Sequence, residues 1–204
     1  MNNFSNTSSY VIFHKLIRHE CQFIKNFFDY LQDRLVFADF DIHFSGSTCI
    51  IIYIIAKHIV TANTGDSRGI LVSRNPNSKS STIVTQLSID HKPTLSKERE
   101  RIEKSNGIIS KDDNGPYRVW QAGENFPGIA MSRSMGDLVA KQLGVIYQPE
   151  VTVREITSDD MYIVLASDGV WELVDNETVM EIVNEYYRRG DPKGATKALI
   201  EEAT

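Results

Sequence analysis

A chain of 204 residues that is 41% hydrophobic and 24% charged has the composition of a folded domain, which excludes collagenous, disordered and disulfide-scaffold classes. With 22 Lys and Arg against 27 Asp and Glu the formal charge is −5, so no basic field is available to hold nucleic acid or an anionic membrane. Cys21 and Cys49 lie far apart and form no CxxC pair, which argues against zinc ribbons and thioredoxin-like sites and for a reducing compartment.

The polar start MNNFSNTSSY lacks the basic and apolar regions of a signal peptide. The longest apolar run, residues 48 to 55, has the length of a buried strand and is too short to span a bilayer. A cytoplasmic or nuclear location with no membrane partner is the expectation. Within residues 10 to 35, Ile17, Cys21, Ile24, Phe28, Leu31 and Leu35 recur at gaps of four and three, the stripe of an amphipathic helix packed on a sheet. A second stripe, Leu16, Phe23, Phe27 and Tyr30, makes the apolar face wider than a coiled-coil seam.

Strands follow at 49 to 56, 58 to 63 and 68 to 74, and the loop NPNSKSS leads into a fourth at 82 to 87. Short connections without an intervening helix predict an antiparallel meander and argue against a doubly wound nucleotide fold. Residues 94 to 105 read as a solvated surface helix with a Glu100 and Lys104 pair, ended by Gly107. DDNG at 112 to 115 predicts a turn between two short strands, the second ending at Trp120. Residues 121 to 149 carry glycines at 123, 128, 136 and 144 with little periodicity, the mark of a long irregular segment of functional kind. A strand at 161 to 166 runs into SDG, and Val179, Ile182, Val183, Tyr186 and Tyr187 then mark a helix that Gly190 can end. Asp191 and Pro192 suit the N-cap and first position of a last helix, which reaches Thr204 without a stop signal and reads as cut short.

Two aspartates stand out by position. Asp66 in NTGDSR and Asp168 in LASDGVWE each follow an apolar strand beside a glycine, where short carboxylates can converge on one sheet edge. Hard divalent cations, Mg²⁺ or Mn²⁺, favour such oxygens, and Glu172, four residues beyond Asp168, can return a carboxylate to the same place. Turn capping alone would also account for both aspartates.

The words around them carry more. FSGST (44 to 48), NTGDSRGIL (63 to 71), LSIDHKP (87 to 93), PGIAMSRSMGD (127 to 137), QPEV (148 to 151) and LASDGVWELV (165 to 174) stand in the order of the metal-dependent protein phosphatase family of PP2C type. The chain resembles that family over about residues 44 to 174. The resemblance implies an α+β fold, a partial α-β-β-α sandwich of antiparallel sheets flanked by helices, with residues 1 to 204 as one partial domain. It implies hydrolysis of phosphoserine or phosphothreonine in a protein substrate by a water activated on Mg²⁺ or Mn²⁺. Asp168 then resembles the core metal ligand, and Asp66 and Glu172 resemble ligands of an additional, weaker metal, where the family frequently has Asp in place of Glu172. Thr48 resembles the threonine that contacts metal-bound water. Residues 107 to 133 resemble the flap beside the substrate cleft, and Arg133 and Asp137 resemble structural residues around the centre. His91 reads as a structural histidine.

The family's DGHGG motif, its phosphate-binding arginine and its closing DN motif have no counterpart here. The expectation is the middle of such a domain, with little or no activity as it stands and with sheet edges and apolar faces that favour association. A non-catalytic relative that binds a phosphoprotein or a regulatory partner, and a weak hydrolase on Asp66, Asp168 and Glu172 alone, are the alternatives.

Overall fold

A computed structural model of the chain describes residues 4–111 and 115–204. Helix α1 (Phe4–Val36) is followed by strands β1 (Gly46–Ser47), β2 (Cys49–Ile55), β3 (His58–Thr64), β4 (Arg68–Asn75) and β5 (Ser78–Gln86). Then come α2 (Ser96–Lys104), β6 (Gly107–Ser110), β7 (Arg118–Gln121), β8 (Pro127–Ile129), β9 (Met135–Gly136) and α3 (Leu138–Lys141). The last elements are β10 (Glu150–Glu155), β11 (Asp160–Ala166), α4 (Asp168–Trp171), α5 (Asn176–Tyr187) and α6 (Pro192–Glu202). Residues 112 to 114 of the expected DDNG turn lie outside the described residues.

Two three-stranded antiparallel sheets form the centre, in the orders β10-β3-β2 and β11-β4-β5. The period-two alternation of strands decides what each face buries. In β3, Val60 and Ala62 pack on Ile24 and Phe28 of α1, while Ile59 points the other way and meets Leu71 and Leu87 between the sheets. In β4, Leu71 faces that inter-sheet layer, whereas Ile70 and Val72 pack on Val179 and Val183 of α5 and on Ala195 and Leu199 of α6. The layers therefore run α1, sheet, sheet, then α5 with α6. This is the α-β-β-α sandwich of the sequence reading. Full burial of a side chain such as Phe28 contributes roughly 1.5–3 kcal/mol.

The start of the last helix follows the sequence reading, and α5 has a cap of the same kind. Asp175 accepts from Thr178 N–H at 2.8 Å to start α5, and Asp191 accepts from Gly194 N–H at 2.9 Å with Pro192 in the first turn of α6.

Three expectations need correction. The strands at 49 to 87 do not form one meander: β2 pairs with β3 and β4 with β5, but β3 and β4 lie in different sheets. The connection 65 to 67 carries the chain from one sheet to the other. Gly107 does not end α2; Asn106 takes the left-handed conformation (φ 60°), and Gly107 opens β6, where a Cβ would meet Ile102 and the Leu143 carbonyl. Nor is α2 merely solvated. Glu100 and Lys104 do pair at 2.7 Å on its outer face, yet Glu98 and Ile102 are buried on the other. Ile102 belongs to a further cluster with Val119, Ala140, Leu143 and Val145, which holds the small sheet β6-β7-β8 against the body of the protein.

Candidate active site

The register of β4 against β11 decides where the two aspartates lie. Arg68 pairs with Ala166, so the chain just before β4 and the chain just after β11 leave the sheet at the same end. Asp66 and Asp168 thereby come to one edge.

The Asp66 turn is fastened to segment 87 to 93. Asn63 Nδ2 donates to the carbonyls of Gly65 at 3.0 Å and Ile89 at 2.9 Å. His91 N–H donates to Gly65 O at 3.1 Å, and Gly65 N–H donates to His91 Nδ1 at 3.2 Å. His91 Nδ1 also lies 3.1 Å from Gly65 O, and Nε2 stands 3.4 Å from Glu150 Oε2. Burial pushes the His91 pKa down and the Arg133 guanidinium adds to this, against Glu98 and Glu150, which pull it up. His91 is a neutral, buried strut.

Arg68 ties three segments together. Its Nε and Nη2 donate to Asp90 Oδ1 and Oδ2 at 2.9 and 2.6 Å, and Nη1 donates to Asn176 Oδ1 at 2.7 Å. The guanidinium also lies 5.1 Å from the centre of the Trp171 ring. A bidentate fork of this kind fixes geometry as well as charge. The turn at 65 to 67, the 87 to 93 segment and the α4–α5 region are held as one unit.

The sequence candidates separate into two groups on this scaffold. Asp168 and Glu172 sit one turn apart, with Glu172 N–H donating to Asp168 O at 2.9 Å, and both line a cleft of about 540 Å³. Residues 127 to 131, Pro116 and Arg118 form the flap side of that cleft, and Phe44 and Asp137 complete it. Asp137 holds a left-handed backbone (φ 49°, ψ 54°), and its carboxylate lies where a Cβ on Gly46 would have to be. That contact explains the glycine of FSGST, which pairs across β1 and β9 with Gly136.

Asp66 and Thr48 form the other group. Thr48 Oγ1 and Ser67 Oγ share a hydrogen bond at 2.7 Å, and the Thr48 methyl lies beneath Gly65. Asp66 is 2% exposed, and its Oδ2 accepts from Lys92 Nζ at 2.5 Å. The same ammonium stands 3.9 Å from Glu172 Oε1. A cation of this chain thus already lies between the two carboxylates that the resemblance gives to a weaker metal. Among the described residues no three of His, Cys, Asp and Glu are grouped as a metal ion needs. The residues present do not fit a divalent ion at Asp66.

Four residues that matter here had no such part in the sequence reading. Lys92 stands inside IDHKP but its partners lie 26 and 80 residues away in sequence. Arg118 and Phe44 reach the cleft through tertiary structure, without a local signal. Glu98, 3% exposed, gathers Arg101, Ser132 and Arg133 and so anchors the segment that runs from the flap into SRSMGD.

Comparison with known proteins agrees with this architecture. The chain is 42% identical over 165 residues to the rice (Oryza sativa subsp. japonica) probable protein phosphatase 2C 12, a match that covers 80% of this chain and 41% of the relative. It is 41% identical over 165 residues to the Arabidopsis thaliana probable protein phosphatase 2C 73, covering 80% of this chain and 43% of the relative. The chain thus spans less than half the length of these relatives. A crystal structure of a serine-threonine phosphatase 2C from Toxoplasma gondii superposes with a TM-score of 0.80 at 19% identity, covering 99% of this chain and 66% of that one, which speaks to the fold alone. The family model described as "Protein phosphatase 2C" matches residues 15–204. With the sandwich, the cleft and this match in agreement, the chain belongs to the protein phosphatase 2C family.

Proposed function

We propose that this chain serves the hydrolysis of phosphoserine and phosphothreonine in proteins, the reaction of its family, and contributes to it the cleft that receives the phosphorylated residue. The cleft carries the reading. A guanidinium, Arg118, lines it together with the carboxylates of Asp168 and Glu172. Arg118 is half-buried and gives one N–H to Gly128 O at 2.7 Å, which orients its planar fork of donors. Phosphate oxygens are natural acceptors for such a fork.

The family is metal-dependent, and Mg²⁺ and Mn²⁺ favour carboxylate and water oxygens. Asp137, Asp168 and Glu172 line one cleft, but among the described residues they are not grouped as a metal ion needs, and Asp66 is closed by Lys92. No step is therefore assigned to a metal. What the chain's own residues do is shape the cleft, present Arg118 to an anion, and hold the Asp66 turn through Thr48, Ser67 and Arg68.

Two measurements test the reading. A phosphothreonine peptide is expected to bind the chain more tightly than its unphosphorylated form, with the preference lost in Arg118→Ala; equal affinity for both forms would sink it. Phosphate release in Mn²⁺ by this chain is expected to be negligible, and robust turnover abolished by Asp168→Asn would establish a working hydrolase instead. The second reading, a module that binds a phosphoprotein without hydrolysing it, rests on the same lack of a metal grouping among the described residues. It is distinguished by phosphopeptide binding that persists equally without divalent metal and in Asp168→Asn.

A further inference from the structure

We propose that Lys92 is the resident cation of Asp66, with Glu172 at its exposed edge, so that Asp66 is held in a closed ion pair in this chain and takes no divalent ion. Asp66 is a residue the family resemblance gives to a metal, and the geometry assigns it otherwise.

Asp66 cannot stand alone. A carboxylate that is 2% exposed has lost nearly all its water and needs a counter-charge with good hydrogen-bond geometry. Lys92 Nζ supplies both at 2.5 Å and reaches Glu172 Oε1 at 3.9 Å. The lysine is aimed by its surroundings. Its own N–H donates to Asp90 O at 2.8 Å and its carbonyl accepts from Leu95 N–H at 3.1 Å. The residues before it are locked in turn: Asp90 by the Arg68 fork and His91 by both polar atoms of the Gly65 backbone. Pro93 follows with its restricted backbone. The ammonium therefore arrives at Asp66 from a segment that the Asp66 turn itself positions.

A Mg²⁺ ion would need an oxygen at about 2.0–2.1 Å and octahedral company. At Asp66 Oδ2 it would meet an ammonium already bonded to that atom, and two cations at such spacing repel strongly. An ion can enter only if Lys92 leaves. Lys92 is a third exposed, so its exit path is open, but its departure strips a buried carboxylate of its partner.

The test is Mn²⁺ titration of the whole chain by calorimetry, with free ion followed in parallel by electron paramagnetic resonance. Asp66→Asn is expected to leave the wild-type affinity unchanged. Lys92→Met is expected to bind Mn²⁺ at least about tenfold more tightly, because one repelling charge has gone. That gain should vanish in the double variant Lys92→Met/Asp66→Asn. A wild-type affinity that Asp66→Asn weakens overturns the proposal, and so does a folded Lys92→Met with no gain. If circular dichroism shows Lys92→Met unfolded, the comparison of Asp66→Asn with wild type decides alone. Phosphopeptide binding is a separate readout, so failure here and failure of the phosphatase reading are distinguishable.

Discussion

A buried carboxylate survives in a fold only with its charge answered, and Glu98 is answered by four hydrogen bonds. Its Oε2 accepts from Arg101 Nη2 and Ser132 Oγ at 2.7 Å each and from Arg133 Nε at 3.1 Å, and its Oε1 accepts from Arg133 Nη2 at 2.7 Å. Burial pushes the carboxyl up, but the bonds from Arg133, Arg101 and Ser132 outweigh it and hold the pKa far below the usual carboxylate range. Replacing Glu98 by Gln removes the charge and leaves two guanidinium groups uncompensated, so urea melts at neutral pH should show a loss of about 3 kcal/mol. A loss under about 1 kcal/mol would mean that both arginines rehydrate. The pH dependence has a definite sign. Because the folded pKa is depressed, the contribution is complete above the ordinary glutamate value of 4.5 and is lost as pH falls below it; that acid-side loss should be smaller in Glu98→Gln. Lys141 works in the opposite range. Burial lowers its pKa to about 8 against a smaller opposing pull from Asp137, while Nζ donates to Ser134 O at 2.6 Å. The unfolded chain then binds more protons between pH 8 and 10.5, so this residue makes stability rise with pH there. The difference in unfolding free energy between wild type and Lys141→Met should grow in favour of wild type from pH 7.5 to pH 10; a constant difference would show that the ammonium is solvated in the fold.

At the scale of elements the decisive piece is the connection between β3 and β4. Runs rich in Ile and Val between polar or glycine-containing turns located both strands within a residue or two, and the Asp191 cap of α6 was legible because a cap is a local bond between near neighbours. Pairing was not, since periodicity reports that a segment is a strand and says nothing of its partner. Three residues between two apolar strands suggest a hairpin. Here Gly65 at φ +104° turns the chain out of the first sheet, and Asn63 and His91 hold that turn from either side. An alanine at 65 would be strained at that φ and would push its Cβ into Thr48. Gly65→Ala is expected to destabilise by at least about 2 kcal/mol and to raise amide exchange selectively across 63 to 67 and 89 to 92. Unchanged exchange in those segments would show that they are held independently. The same limit explains α2. A glutamate in a charged helix carries no mark that Arg133, 35 residues later, will fold onto it.

The whole molecule repeats this pattern at the site and adds a consequence for association. Asp168 and Glu172 were legible as a pair because a four-residue spacing on a helical turn is a local fact, whereas the tie from Asp66 to Lys92 is a tertiary one. The layers are also unequal. Among the described residues α5 and α6 together cover the sheet β11-β4-β5, while α1 alone covers β10-β3-β2. The inner stripe of α1, Ile24 and Phe28 with Cys21, Leu31 and Leu35, is spent on the sheet. Its second stripe faces water: Phe23 is 61% exposed, Tyr30 57% and Phe27 39%, and Phe37, Phe40 and Phe44 extend the aromatic surface beyond the helix. Isolated exposed aromatics are ordinary, but six within residues 23 to 44 offer an apolar surface to a second copy. Sedimentation velocity on this chain should therefore show a mass that rises with concentration. The variant Phe23→Ser/Phe27→Ser should move that equilibrium toward the monomer while leaving the melting temperature nearly unchanged, because neither side chain contributes to the α1 core cluster. A monomeric mass at all concentrations would show that this surface is tolerated in water, and a fall in melting temperature would place the two phenylalanines in the stability of α1 itself.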